Sequence, residues 1–186
     1  MEESFKKKVE IMTNDVFQCM RDSHSVRHFQ PDMIPDEMIT KILEAGSWAP
    51  SAGNLQPWYF YVVKDQAVKN HIYEACVRQS QIEQAPVLIV ILADPARSNE
   101  HYAERGAQLY CLQDTAAAAQ NMLLAAEALG IGACWVGSFD EVAVQQAVKA
   151  APRLRAVIIL ALGYSNEQQP EIKNRLRVAE VAKFIQ

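Results

Sequence analysis

The chain has no apolar run longer than seven residues; Val87–Ala93 and residues 156–162 are the longest. Both fall far short of the roughly 20 residues a membrane-spanning helix requires. The N-terminal stretch MEESFKKKVEIMTNDVF interleaves charges with apolar residues and offers no apolar core and cleavage site of a secretion signal. Cysteine is sparse: Cys19, Cys76, Cys111 and Cys134 stand alone, each in an apolar segment. With no C-x-x-C pair and no clustered spacing, they predict buried, reduced thiols in a cytoplasmic protein, not a disulfide framework or a zinc site. Positive charge is not in excess either, since 18 Lys and Arg stand against 22 Asp and Glu for a net charge of −4. Such a surface is no footprint for nucleic acid, and an anionic ligand would have to be met by local cations.

The common catalytic signatures are missing as well. There is no phosphate loop of the G-x-x-x-x-G-K-[ST] type, no H-E-x-x-H zinc helix and no G-x-S-x-G elbow. Gly130 and Gly132 begin a dinucleotide-like pattern, but Trp135 stands where the third glycine belongs. A helix precedes these glycines and a strand follows them, the reverse of a Rossmann turn. His24, His28, His71 and His101 show no spacing to a nucleophile.

What is present is an ordinary globular composition, 50% hydrophobic and 22% charged over 186 residues, which suits one domain spanning 1–186. Periodicity predicts helices at 13–21, from Pro35 through Gly46 with a break at 49–54, at 66–77, at 114–129 and at 141–148. Aromatic and β-branched runs predict strands at 58–63, 87–92, 133–136 and 156–162. The helix at 114–129 is apolar on nearly every face, as expected of one buried in a core or between subunits. Residues 94–106, DPARSNEHYAERG, are polar and open on a turn signal, which predicts a surface loop or lid. The tail 166–178, with Lys173, Arg175 and Arg177, contributes little core; it is either a solvated end or an arm on a partner subunit.

Three polar segments interrupt this apolar chain. In Ser23-His24-Ser25-Val26-Arg27-His28, alternation sets Ser25 with Arg27 and His24 with Val26; hydroxyls plus a guanidinium suit a phosphate, and an ordinary loop would look the same. Residues 49–58, APSAGNLQPW, bring two amides and small residues in front of a strand, where they can meet a flat polar ring or simply make a turn. In 130–140, GIGACWVGSFD, a strand ends at Gly137 and Ser138, leaving backbone N–H groups for a ligand, or for a helix capped by Asp140.

Taken together, SVRHFQPDMIP, WAPSAGNLQPW, QAPVLIV, GIGACWVGSFD, LGYS and KNRLRVAEV resemble, in identity and order, the flavin-dependent nitroreductase family, over about residues 14–182. The resemblance implies an α+β fold, a three-layer α/β/α sandwich whose central, mostly antiparallel sheet is flanked by helices. It also implies a homodimer with the tail, about 166–186, extending onto the partner. The cofactor would be FMN, with NADH or NADPH as reductant, and hydride would pass through flavin N5 to nitroaromatic, quinone or flavin acceptors by ping-pong kinetics. By position, His24, Ser25, Arg27, Lys173 and Arg175 would hold the FMN phosphate and ribityl chain. Pro50, Ser51, Asn54 and Gln56 would line the ring, and Trp135, Val136, Gly137 and Ser138 would face it near N5. Tyr102 and Glu104 of the lid, with Phe139, would meet the small-molecule substrate; no residue acts as acid, base or metal ligand. The family often has arginine where this chain has Ser23. A specialised dehalogenase, a flavin-cleaving enzyme, a flavin store and a ligand-free dimer are the alternatives.

Overall fold

The computed structural model describes residues 16–167 and 174–185. Four strands, β1 (Trp58–Val63), β2 (Val87–Ala93), β3 (Gly132–Val136) and β4 (Arg155–Gly163), form one sheet in the order β1-β2-β4-β3, antiparallel throughout. β2 and β4 are its inner strands, and every residue of VLIVILA in β2 is buried. That is why its sequence is apolar without alternation: both faces are covered.

The period-2 geometry of the strands divides the core in two. Leu88, Val90 and Leu92 point to one face, together with Cys134, Val136, Ile159 and Ala161. Helices α3 (Gln66–Ala75), α4 (Ser80–Gln84) and α7 (Glu141–Ala147) cover that side through Ile72, Ile82 and Val144. Val87, Ile89 and Ile91 point the other way, onto α2 (Asp36–Ser47) and α6 (Cys111–Ala128). Burial of such side chains contributes on the order of 1.5–3 kcal/mol each, an upper bound for a compact unfolded chain. α6 meets α2 at Gly46, where a Cβ would lie 2.2 Å from the Met122 Cε; the missing side chain sets how close the two helices come. The result is the expected three layers.

The first helix, α1, is described over Val16–Asp22; its expected start at 13 lies outside the described residues. The reading of 94–106 as a loop is corrected: Pro95–Arg105 is helix α5, continued by a π-helical turn at Gly106–Tyr110. Asp94 caps it by accepting from the Arg97 N–H at 3.3 Å, and Pro95 occupies the first turn. Those two residues are a helix-start signal as much as a turn signal. Short elements without a periodic signature were not legible either: α4, a 3-10 turn at Ala52–Asn54, and α8 (Val178–Val181) in the tail. Asp140 caps α7, its side chain accepting from the Ala143 N–H at 2.9 Å. All four cysteines are buried, and none is in a disulfide. Among the described residues no helix is long and apolar enough to cross a membrane.

Candidate functional site

Beyond the sheet edge at β3, Ser25 forms an isolated parallel bridge with Ala133, and the Val26 N–H donates to the Ala133 carbonyl at 2.9 Å. Val26 is buried while Ser25 and Arg27 are exposed, as the alternation predicts. The segment thereby becomes one rim of a cavity of about 490 Å³, lined by His24, Ser25 and Arg27. Arg175, from the far end of the chain, lines the same cavity. Lys173, expected beside it, lies outside the described residues.

The polar groups of this cavity are left open to a ligand. His24 Nδ1 lies 2.9 Å from the Asp22 carbonyl oxygen. That oxygen can only accept, so Nδ1 carries the proton and Nε2 is free to accept as imidazole or donate as imidazolium. Nε2 is buried and has no partner among the described residues, a costly arrangement in a finished core. The guanidiniums of Arg27 and Arg175 have no carboxylate partner among the described residues; the Arg27 backbone N–H donates to Glu167 Oε2 at 3.1 Å. The Arg27 guanidinium donates to the Ser25 carbonyl at 3.4 Å, and that of Arg175 to the Asn174 carbonyl at 3.3 Å. Two unpaired guanidiniums beside an orphaned ring nitrogen suit a phosphorylated, hydroxyl-bearing ligand. Arg21 is turned away, donating to Gln18 at 2.8 Å, and Ser23 lines the cavity where the family often has arginine.

The inner wall comes from β3 and α6. Trp135 stands on the α6 side of the sheet, 38% exposed, and lines the cavity with Gln120 and Leu123. Val136 points to the opposite face and is buried there, so only its backbone is available to a ligand. Gly137 and Ser138 are exposed at the strand end, and the Ser138 carbonyl is engaged by Gln79 Nε2 at 2.8 Å. Phe139 does not join them: it packs, half-buried, against the core on the other face. Behind the wall, burial pushes the Cys134 thiol up against the opposing charge of Arg27, which leaves it a poor nucleophile. Sequence reasoning missed Met20, Gln120 and Leu123 as lining residues. Gln120 was findable, as a polar interruption in the apolar helix DTAAAAQNMLL.

The remaining expected residues form a second group. Pro50, Ser51, Asn54 and Gln56 do not line the arginine cavity within one chain. They belong to a tight segment with left-handed backbone at three residues, φ being +58° at Gly53, +56° at Asn54 and +50° at Gln56. The Gln56 N–H donates to Ser51 Oγ at 3.0 Å. Tyr102 joins this group. A kink in α5, with Ala103 at φ +49°, brings its hydroxyl to 2.6 Å from where a Gly53 Cβ would be. Its ring meets Tyr110 edge-on at 5.2 Å. Glu104 lies outside the contact, accepting from Gln108 at 2.6 Å.

Comparison with known proteins agrees with this architecture. The sequence profile of the Nitroreductase family matches residues 20–84 and 71–164. A protein of Archaeoglobus fulgidus provisionally named NADH dehydrogenase/NAD(P)H nitroreductase is 36% identical over 152 residues, 78% of this chain and 82% of that one. An NADH dehydrogenase of Thermus thermophilus is 33% identical over 172 residues, 77% of this chain and 83% of its own. The NADPH:FMN oxidoreductase of Vibrio harveyi, solved with NAD+, superposes with a TM-score of 0.83 at 26% identity, covering 93% of this chain and 78% of that one. The chain belongs to the Nitroreductase family.

Proposed function

We propose that this protein is an NAD(P)H-dependent oxidoreductase that holds FMN in the arginine cavity and passes reducing equivalents to nitroaromatic, quinone or flavin acceptors. The observation that carries the reading is the meeting of Arg27 and Arg175, from opposite ends of the chain, beside the unpartnered Nε2 of His24. Arg27 and Arg175 would hold the phosphate, His24 and Ser25 the ribityl hydroxyls, and Trp135 with the 136–138 backbone the ring edge. When bound, FMN supplies the hydride-accepting and hydride-donating chemistry. The chain's own share would be binding, alignment and exclusion of water, and the exposed backbone at Gly137 and Ser138 would serve the alignment. Names borne by the relatives, nitroreductase and NADPH:FMN oxidoreductase, support the same reading.

The protein would work as a homodimer, each chain lending its 50–56 segment to the other's cavity. That is supported by the separation of this segment from the cavity within one chain. Exposed Phe17, Met20 and Trp48, and the exposed apolar tail residues Leu176, Val178, Phe184 and Ile185, support it too, since such patches mark interfaces. Sedimentation at micromolar concentration should return twice the chain mass.

The deciding experiment is the absorption spectrum of the protein as isolated, followed by anaerobic addition of NADH and of NADPH. A yellow protein bleached by either nicotinamide is expected, with parallel double-reciprocal lines when acceptor is varied. A yellow protein that neither nicotinamide bleaches would indicate flavin storage, and a colourless one that ignores added FMN would refute the cofactor assignment.

A further inference from the structure

We propose that Asp114 and Arg97 are positioning residues that grip the 51–56 segment from its two ends and hold its left-handed backbone in shape for the cofactor. The proposal rests on the reading of that segment as a wall of the flavin cleft. Its two anchors come from different helices. Asp114, in the first turn of α6, accepts from the Ala52 N–H with both carboxylate oxygens, at 3.2 and 3.3 Å. Arg97, in the first turn of α5, donates from Nη1 to the Gln56 carbonyl at 2.8 Å. Arg97 is itself fixed: Nη2 donates to Tyr59 Oη at 2.9 Å, and the guanidinium lies 5.4 Å from the Tyr59 ring centre.

Two features argue that this grip is more than incidental packing. Between the anchors, Asn54 and Gln56 both hold positive φ without being glycine. Asparagine tolerates that region, and glutamine does so at a penalty. Such a backbone persists only where its surroundings over-determine it, and it concentrates at functional sites. The second feature is Asp114 itself, 7% exposed. Burial pushes its carboxyl up, and the Ala52 N–H draws it down. A buried carboxylate whose donor among the described residues is one backbone N–H is a poor stabilising device compared with an apolar side chain of similar size. Its retention is explained by what it holds, the N–H at the entrance of the strained segment. Gly53, where a Cβ would press on the Tyr102 hydroxyl at 2.6 Å, closes the third side.

The test uses the full chain carrying Asp114→Ala, Asp114→Asn or Arg97→Ala. Glu141→Gln, which removes the ion pair between Glu141 of α7 and Arg155 of β4, serves as a control for general destabilisation. Hydrogen exchange of the flavin-free protein is read over residues 50–57, and FMN affinity by quenching of flavin fluorescence. Asp114→Ala and Arg97→Ala should each speed exchange in that segment about tenfold and raise the FMN Kd about five- to tenfold. Asp114→Asn, which keeps an acceptor for the Ala52 N–H, should lose only two- to threefold, and Glu141→Gln should change neither quantity. Exchange and Kd within twofold of wild type in both alanine variants would overturn the proposal. If Asp114→Ala does not fold, Arg97→Ala, at a half-buried side chain, decides alone. Failure of the wild-type protein to bind FMN would instead sink the cofactor assignment, and exchange would then judge the grip by itself.

Discussion

Replacing Arg27 and Arg175 singly and together by alanine, and titrating each variant with FMN and with riboflavin, isolates the contribution of the phosphate. Both guanidiniums line one cavity and lack a carboxylate partner among the described residues, so no ion pair has to break before a phosphate is met. Both side chains are solvent-exposed in the single chain. The low end of the range for hydrogen bonds to charged groups therefore applies, about 1.5 kcal/mol per guanidinium. That is about tenfold in Kd for each single variant, since 1.4 kcal/mol is a factor of ten. The double variant should lose about a hundredfold. Riboflavin carries no phosphate, and its Kd should stay within about twofold in all three variants. The FMN losses should shrink as ionic strength rises and the screening length falls from about 8 Å to about 3 Å. Flavin fluorescence quenching at two salt concentrations supplies all of these numbers. Equal losses for riboflavin and FMN would mean that the arginines shape the cavity without meeting the phosphate. Wild-type FMN affinity in either single variant would mean that the arginine it lacks does not meet the anion. Either result would refute the convergence argument.

Two further perturbations bear on other parts of the molecule. Ser23→Arg restores a cation on the cavity rim, where Arg21 is turned away toward Gln18; FMN affinity measured by the same quenching should rise about threefold, riboflavin affinity should not, and an unchanged FMN Kd would place the residue outside phosphate reach. Glu141→Gln probes stability: Arg155 holds the Glu141 carboxyl below its usual range. The ion pair therefore contributes in full above the unfolded-state value, about 0.5 kcal/mol for so exposed a pair, and the contribution is lost as pH falls through the folded-state value. Thermal melts should show the variant about 1–2 °C below wild type at pH 7, with the gap closing as pH falls through the folded-state value.

The layers, the four strands and the long apolar helix were legible in the sequence because each carries a period or a continuous apolar run. Val87–Ala93 shows this best: all seven residues are buried, and nothing but a strand covered on both faces fits. The arginine cavity was legible only through resemblance, since no local pattern links Arg27 to Arg175. What failed to show were features made by single contacts. Asp94 and Pro95 opened a helix where polarity suggested a loop. Phe139 follows Ser138 in sequence yet packs against the opposite core, because the chain has left β3 at Val136 and bends at Phe139. Asp114 looked like one more polar residue at a helix start, and its bond to Ala52 joins positions 62 apart.

Asp114 also separates positioning from stability by the sign of two measurements. Burial raises its carboxyl above the ordinary value of 3.8, so the folded protein holds a proton there more tightly than the unfolded chain does. Wherever the folded state binds the extra proton, stability falls as pH rises. The penalty therefore grows as pH climbs from the unfolded-state value through the folded-state one, and it is constant above. Cys111, one turn earlier on α6, is pushed up by its own burial and in part by the Asp114 charge; as a neutral thiol it offers that charge no compensation. Asp114→Asn removes the penalty and keeps an acceptor for the Ala52 N–H. Its melting temperature should gain on wild type as pH is raised from 3 to 7, while its FMN affinity at pH 7 is the weaker of the two. A stabilised protein with a loosened grip is what a carboxylate retained for geometry predicts. If wild type instead gains on the variant across that range, the carboxylate is a net stabiliser, and its presence at Ala52 needs no functional reason.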